Sequence, residues 1–240
     1  MLTVEGLKVR YGDFEAVSSV SLTVAEGQVV SLIGANGAGK SSLLGAMAEL
    51  IRPAAGKVIF QGEDITAMDC GPIVDRGLCL VPQGGRCFQR MSVEDNLLVG
   101  SYPRRARAER HGRLEMVYTL FPVLKDKRKQ AAGTLSGGQR QMVASGRALM
   151  AGPKCLIFDE ISLGLAPIVI QEIYDTIRRI HREQGMSVIV VEQDTERALR
   201  VSDYCYVMLE GAVSLSGASE GLTMERIRAA YFGVERSEEP

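Results

Sequence analysis

Several things are scarce in this 240-residue chain, and each scarcity excludes a class of protein. There are two histidines, His111 and His181, and five cysteines, Cys70, Cys79, Cys87, Cys155 and Cys205, with no CxxC pair among them. Such spacing offers no zinc site, and the cysteines read as reduced, mostly packed thiols of a cytoplasmic protein. No apolar run approaches the roughly 20 residues needed to cross a bilayer, and the longest, such as Val188–Val191, suit buried strands. The N-terminus, Met1-Leu2-Thr3-Val4-Glu5, lacks the basic and apolar segments of a signal peptide, so the chain is expected to stay where it is made. Charge of one sign is missing as well. With 28 Lys plus Arg against 29 Asp plus Glu the net charge is −1, whereas a nucleic-acid protein concentrates a basic excess on one face.

What is present is an ordinary globular composition, 46% hydrophobic and 24% charged, ample for a packed core. Leu2 to Val9 and Val20 to Val24 alternate apolar with polar and predict half-buried antiparallel strands. Val29-Val30-Ser31-Leu32-Ile33 runs apolar without alternation, as does a strand covered on both faces. A Gly-rich loop follows, then a helical pattern carried by Leu43, Leu44, Met47 and Leu50, with Pro53 just past its end. Further buried strands are legible at Cys155–Phe158 and Val188–Val191, with helical sequence between them. That alternation predicts a parallel sheet, whose ligands bind beyond the carboxyl ends of the strands. From about residue 85 to residue 151 the pattern turns helical, with Arg-rich faces, which predicts an inserted helical subdomain.

Gly34-Ala35-Asn36-Gly37-Ala38-Gly39-Lys40-Ser41, followed by Ser42, fits G-x-x-x-x-G-K-[ST] and lies after a buried strand and before a helix, as the motif requires. Glycines let successive backbone N–H groups curl around one anion, and the helix start adds partial positive charge. Lys40 would reach the β- and γ-phosphates of a nucleotide, and the Ser41 hydroxyl would ligate Mg²⁺. Cys155-Leu156-Ile157-Phe158-Asp159-Glu160 delivers two carboxylates to the end of a buried strand. There Asp159 would hold the magnesium hydration shell and Glu160 would deprotonate an attacking water. The two motifs together point to nucleoside triphosphate hydrolysis. A guanine-selecting Asn-Lys-x-Asp element is absent, since Asn36 and Asn96 precede Gly37 and Leu97.

Leu135-Ser136-Gly137-Gly138-Gln139-Arg140-Gln141 opens a second helix and precedes Asp159 by about one helical segment. This segment resembles the signature motif of the ABC ATPases, and the resemblance runs over essentially the whole chain. The fold it implies is a P-loop NTPase core of α/β class with a mainly parallel sheet, an N-terminal antiparallel β subdomain and an inserted α-helical subdomain. Residues 1–84 and 152–240 would form the nucleotide-binding core and residues 85–151 the helical subdomain. The cofactors implied are ATP and Mg²⁺. Tyr11, in Val9-Arg10-Tyr11-Gly12, matches the aromatic that stacks on adenine. Gln83, in Leu80-Val81-Pro82-Gln83, matches the glutamine that touches Mg²⁺ and the attacking water. Leu135, Ser136, Gly137, Gly138 and Gln139 would grip nucleotide held by a facing subunit in a head-to-tail dimer, and Ser162-Leu163-Gly164-Leu165 matches the loop that crosses between subunits.

Two positions depart from the pattern. Gln193 stands where many members carry a histidine near the γ-phosphate; its amide donates a hydrogen bond but carries no charge. Ile161 replaces the proline that commonly follows the catalytic glutamate, with loss of local stiffness. Met91 to Leu98 with Gly100, and Asp159 to Pro167, are similar to the smaller ATPase of branched-chain amino acid importers. Urea and short-amide importers, or a non-transport ABC module, are the alternatives. The resemblance implies a peripheral subunit on the cytoplasmic face of the inner membrane, paired with a related or identical ATPase and with transmembrane permease subunits, and indirectly served by a substrate-binding protein. A groove for a permease helix is expected around Gln83 to Met91 with Phe88, Leu97 and Leu98. Nine basic residues between Arg104 and Lys129 read as a solvated helix face or as a surface for anionic head groups.

Overall fold

The computed structural model describes residues 1–232, which divide into two compact units, Met1–Met68 with the chain from Ser187 on, and Asp69–Met186. The first unit opens with β1 (Leu2–Tyr11) and β2 (Phe14–Val24), an antiparallel pair joined by a two-residue turn. Next come β3 (Val29–Gly34), α1 (Lys40–Met47), β4 (Ala55–Phe60) and β5 (Glu63–Asp64). β4 lies antiparallel against the other edge of β1, giving the order β2-β1-β4-β5.

The second unit carries α2 (Cys70–Arg76), β6 (Leu78–Val81), α3 (Val93–Val99), α4 (Arg104–Arg107), α5 (Arg110–Leu120), α6 (Pro122–Asp126), α7 (Gly137–Met150), β7 (Cys155–Asp159) and α8 (Pro167–Gln184). The chain then returns to the first unit with β8 (Ser187–Glu192), α9 (Thr195–Val201), β9 (Tyr204–Leu209), β10 (Ala212–Ala218) and α10 (Met224–Phe232).

In the first unit β3 is flanked by β8 and β9, both parallel to it, and β10 adds an antiparallel edge. Every residue of β3 and of β8 is buried, which is why both read as unbroken apolar runs. Ile33, Cys205, Val207, Ala198, Leu222 and Ile227 form a cluster on which Tyr231 of α10 packs.

In the second unit β6 and β7 pair in parallel with Val81 opposite Phe158. α3 and α5 pack on α7 at Gly146, where a Cβ would meet Leu97 Cδ2 and Val117 Cγ1, each at 2.8 Å. Only a residue without a side chain admits both helices there. α8 carries Ile170, Ile173, Tyr174, Ile177 and Ile180 on its buried face and stops at Gly185, which takes the left-handed φ of 61°. Among the described residues no helix is long and apolar enough to cross a membrane.

Candidate functional site

The phosphate loop is built by β3 and α1. β3 ends at the buried Gly34, Ala35, Asn36 and Gly37 are exposed, and Gly39 caps α1 with φ 94°. Gly37 (φ 84°) and Gly39 both need the left-handed region, and at Gly39 a Cβ would also overlap the Ala16 carbonyl oxygen of β2. The Ala38 N–H donates to Ala35 O at 3.1 Å, closing the loop on itself. Lys40 is 4% exposed, and its ammonium donates to Gly34 O at 2.8 Å and Ala35 O at 3.0 Å, so its charge lies along the loop. α1 has no acid in its first turn to neutralise its positive end, and the Ser41 side chain is exposed there.

Two flanking elements of the first unit hold the loop. The Gly211 N–H, in the β9–β10 turn, donates to Ala38 O at 3.1 Å, while Gly211 O accepts from the Ser18 N–H at 2.7 Å. Sequence reasoning missed this brace; its signal was the Glu210-Gly211 turn, both residues at positive φ, between two strands. Tyr11 ends β1 half exposed with its hydroxyl 3.3 Å from Ser42 Oγ, beside the loop. Gln193 is exposed just past the Ile33–Glu192 pair, hence level with Gly34. The neighbouring Asp194 caps α9 by accepting from the Arg197 N–H at 3.0 Å.

The second unit assembles the acidic end. Because β6 and β7 run parallel and in register, the residues after Val81 and Phe158 leave the sheet side by side. There the Gln83 Nε2 donates to Glu160 Oε2 at 2.9 Å. Glu160 holds φ 45°, a conformation that costs an ordinary residue energy and persists where its surroundings fix it. Ile161, next to it, is 2% exposed and anchors the turn by burial rather than by a ring. Asp159 is partly buried at the last position of β7.

The signature segment lies in the same unit. Leu135 is buried, and Ser136 caps α7: its hydroxyl accepts from the Gln139 N–H at 3.3 Å while Gln139 Oε1 accepts from the Ser136 N–H at 3.2 Å. Ser136 and Gly137 are exposed, and Gly138 is buried where a Cβ would overlap Val169 Cγ1 of α8. Nothing in the sequence announces that contact.

A cavity of about 490 Å³ opens elsewhere in this unit, lined by Pro72, Val74, Pro82, Val99, Tyr102 and Arg147 among others. Leu97 is fully buried against Gly146, because that face of α3 turns into α7, and Phe88 is half exposed under the Arg147 guanidinium at 5.3 Å. The basic stretch is partly spent on structure: Arg105 donates to Val74 O and Gly152 O, and Arg113 and Lys125 pair with Glu109 and Glu115.

The family model described as ABC transporter matches residues 17–162. The high-affinity branched-chain amino acid transport ATP-binding protein BraG of Pseudomonas aeruginosa is 40% identical, over 97% of this chain and 100% of that protein. The probable branched-chain amino acid transport ATP-binding protein LivF of Archaeoglobus fulgidus is 31% identical, over 98% of this chain and 99% of its own length. Among solved structures, the ADP conformation of MJ1267, an ATP-binding cassette of an ABC transporter, superposes with a TM-score of 0.78 at 28% identity. It covers 95% of this chain and 93% of that one.

Proposed function

From the premise that this chain belongs to the ABC transporter family of ATP-binding cassettes, and is therefore an ATPase of a transport system, we propose that it powers an importer of branched-chain amino acids. The observation that carries the hydrolytic part is the Gln83–Glu160 hydrogen bond at the carboxyl ends of β6 and β7. A neutral amide orients the carboxylate without placing an opposite charge on it, which suits a general base. The substrate class rests on the relatives named above.

In this reading the loop N–H groups from Gly34 to Gly39, with Lys40, Ser41 and Ser42, bind the phosphates of ATP, and Tyr11 stacks on the base. Glu160 takes the proton of the attacking water, Gln83 orients it, and Gln193 donates to the γ-phosphate. Ser41, Gln83 and Asp159 are the oxygen ligands proposed for Mg²⁺. Neutral hydroxyl and amide oxygens with a single carboxylate fit a hard cation that keeps waters and binds largely through nucleotide phosphates. When bound, the ion would neutralise charge developing on the β- and γ-oxygens.

The remaining assignments concern partners. Leu135 to Gln139 act on nucleotide held by a second ATPase subunit, related or identical, in a head-to-tail dimer. Residues 1–84 and 152–240 serve as the nucleotide-binding core and residues 85–151 as the helical subdomain. In the same reading the chain sits on the cytoplasmic face of the membrane, the cavity at Pro82, Val99 and Tyr102 receives a helix of the transmembrane permease, and a substrate-binding protein acts on the far side. Closure of the ATP-bound dimer, favoured because ATP binds that state better, is what drives the permease.

The test is to purify the chain with the permease that co-purifies with it, reconstitute the complex in vesicles and measure uptake of labelled leucine, isoleucine or valine against urea and acetamide. ATP-dependent uptake of a branched-chain amino acid, lost in Glu160→Gln, is the expected result. Uptake of the amides alone would reassign the substrate. Turnover of ATP with no permease partner would point to a non-transport module.

A further inference from the structure

β1 and β2 meet at the turn Gly12-Asp13, and the residues that flank it, Tyr11 and Phe14, are direct cross-strand partners. Side chains directly opposite one another in an antiparallel pair project from the same face, with Cβ atoms about 5 Å apart. The face is identified by Tyr11, whose hydroxyl reaches Ser42 Oγ in the first turn of α1. Phe14 therefore stands on the side of the hairpin that borders the phosphate loop. It is 65% exposed and Tyr11 is 50% exposed. Among the described side chains of that unit these two are the exposed aromatic rings; Phe60 is buried, as is Tyr206, and the Tyr204 ring lies 5.0 Å from that of Tyr206.

Phe14 and Tyr11 form a cross-strand aromatic pair at the hairpin end, and their exposed rings together present an apolar surface beside the loop. The position also has a fixed distance from the loop. The backbone of β2 two residues on, at Ala16, is packed so closely on Gly39 that no Cβ fits between them. Phosphates held at Gly34–Ser41 would thus carry their ribose and base outward past this hairpin end.

Resting on the reading of this loop as the ATP site, we propose that Phe14 is a second nucleobase-binding residue, forming with Tyr11 a two-ring platform for a purine. Tyr11 supplies a face for stacking and Phe14 covers the adjoining edge, so that the base leaves water on two sides. The selection proposed here works through ring area. Purine triphosphates gain more than pyrimidine triphosphates, and inorganic triphosphate gains nothing.

The chain contains no tryptophan, so Phe14→Trp introduces a unique fluorophore at the platform. ATP is expected to quench it saturably, GTP similarly, UTP weakly, and inorganic triphosphate not at all. In parallel, Phe14→Ala should raise the Kd for ATP roughly threefold to tenfold and leave that for inorganic triphosphate unchanged, with Phe14→Tyr close to the parent. Lys40→Ala is the control for the underlying site and should abolish binding of both. If Lys40→Ala abolishes binding while Phe14→Ala binds ATP like the parent and the tryptophan is silent, the platform is refuted and the ATP site stands. If Lys40→Ala leaves ATP binding untouched, the reading of the loop itself fails.

Discussion

Gln83 and Glu160 are 77 residues apart, yet the Gln83 amide donates to Glu160 Oε2 at 2.9 Å from a strand pair whose register puts Val81 opposite Phe158. The hydrogen bond fixes the carboxylate without neutralising it. Glu160→Gln keeps size and shape but cannot accept a proton, so steady-state ATP hydrolysis should fall by about 10²- to 10⁴-fold with ATP binding retained. Gln83→Ala leaves the base intact but unoriented, and should lower kcat by a smaller factor, roughly tenfold to a hundredfold, with KM little changed. A Glu160→Gln protein that turned over at the normal rate would remove Glu160 as the base.

Gly37 and Gly39 of the phosphate loop are not equivalent. Gly37 has φ 84° and open space around its would-be Cβ, so Gly37→Ala carries only the left-handed strain of about 1–2 kcal/mol. Gly39 has φ 94° and the Ala16 carbonyl in the way, backbone against backbone. Gly39→Ala must move β2 or the loop, and should cost more stability than Gly37→Ala and abolish nucleotide binding. Thermal unfolding with and without ATP separates the two: Gly37→Ala retains an ATP-dependent rise in Tm and Gly39→Ala does not.

At the signature helix the obstacle is a side chain and can be removed. Gly138→Ala would drive a methyl into Val169 Cγ1, an overpacking cost of about 1–3 kcal/mol. The double variant Gly138→Ala with Val169→Ala should recover most of the lost stability in urea unfolding. Its ATPase activity should recover less, because the methyl remains beside the N–H groups proposed to meet a partner's nucleotide.

The frame of the first unit is legible in the sequence where burial is complete. The apolar run at Val29–Ile33 marks β3, and the Gly-rich loop before Lys40 marks the start of α1. Elsewhere local chemistry hides the pattern. β2 begins at Phe14 rather than near Val20 because bulges between Leu7 and Arg10, with Ser19 at φ 56°, break the alternation. The helix expected to include Leu50 stops at Met47, since Glu49 takes φ 53° and turns the chain, leaving Leu50 61% exposed. The Gln83–Glu160 bond, the Gly138–Val169 contact and the Gly211 brace are long-range; each depends on pairing or packing that spacing cannot encode.

Burial also sets how the cysteines respond to base. It raises the thiol pKa of Cys155 and Cys79 from 9.0 to about 12 and that of Cys205 to about 11. The folded chain therefore keeps protons that the unfolded chain releases above pH 9.0, and stability falls as pH rises from there toward about 12. Urea midpoints should decline over that range, and Cys155→Ser should not reproduce the parent's slope. Below pH 9 the native protein should label with iodoacetamide at the exposed Cys70 and slowly or not at all at the three buried thiols.

Gln193 permits a test with a gain rather than a loss. It follows β8, level with the first glycine of the loop, and is exposed with a neutral amide as its donor. Replacing it by histidine offers the γ-phosphate an imidazolium, whose charge-assisted hydrogen bond is about twice as strong as a neutral one. The imidazole titrates near pH 6.5 when unperturbed, and a bound triphosphate favours its charged form and moves that value up. Between pH 6 and 9 the parent enzyme should show no limb attributable to position 193. Gln193→His should turn over faster at pH 6.5 and lose that advantage as pH rises through the imidazolium pKa, with the excess reduced by salt. An unchanged pH–rate profile in Gln193→His would mean that this side chain does not meet the γ-phosphate, and the role given to Gln193 would pass to another donor.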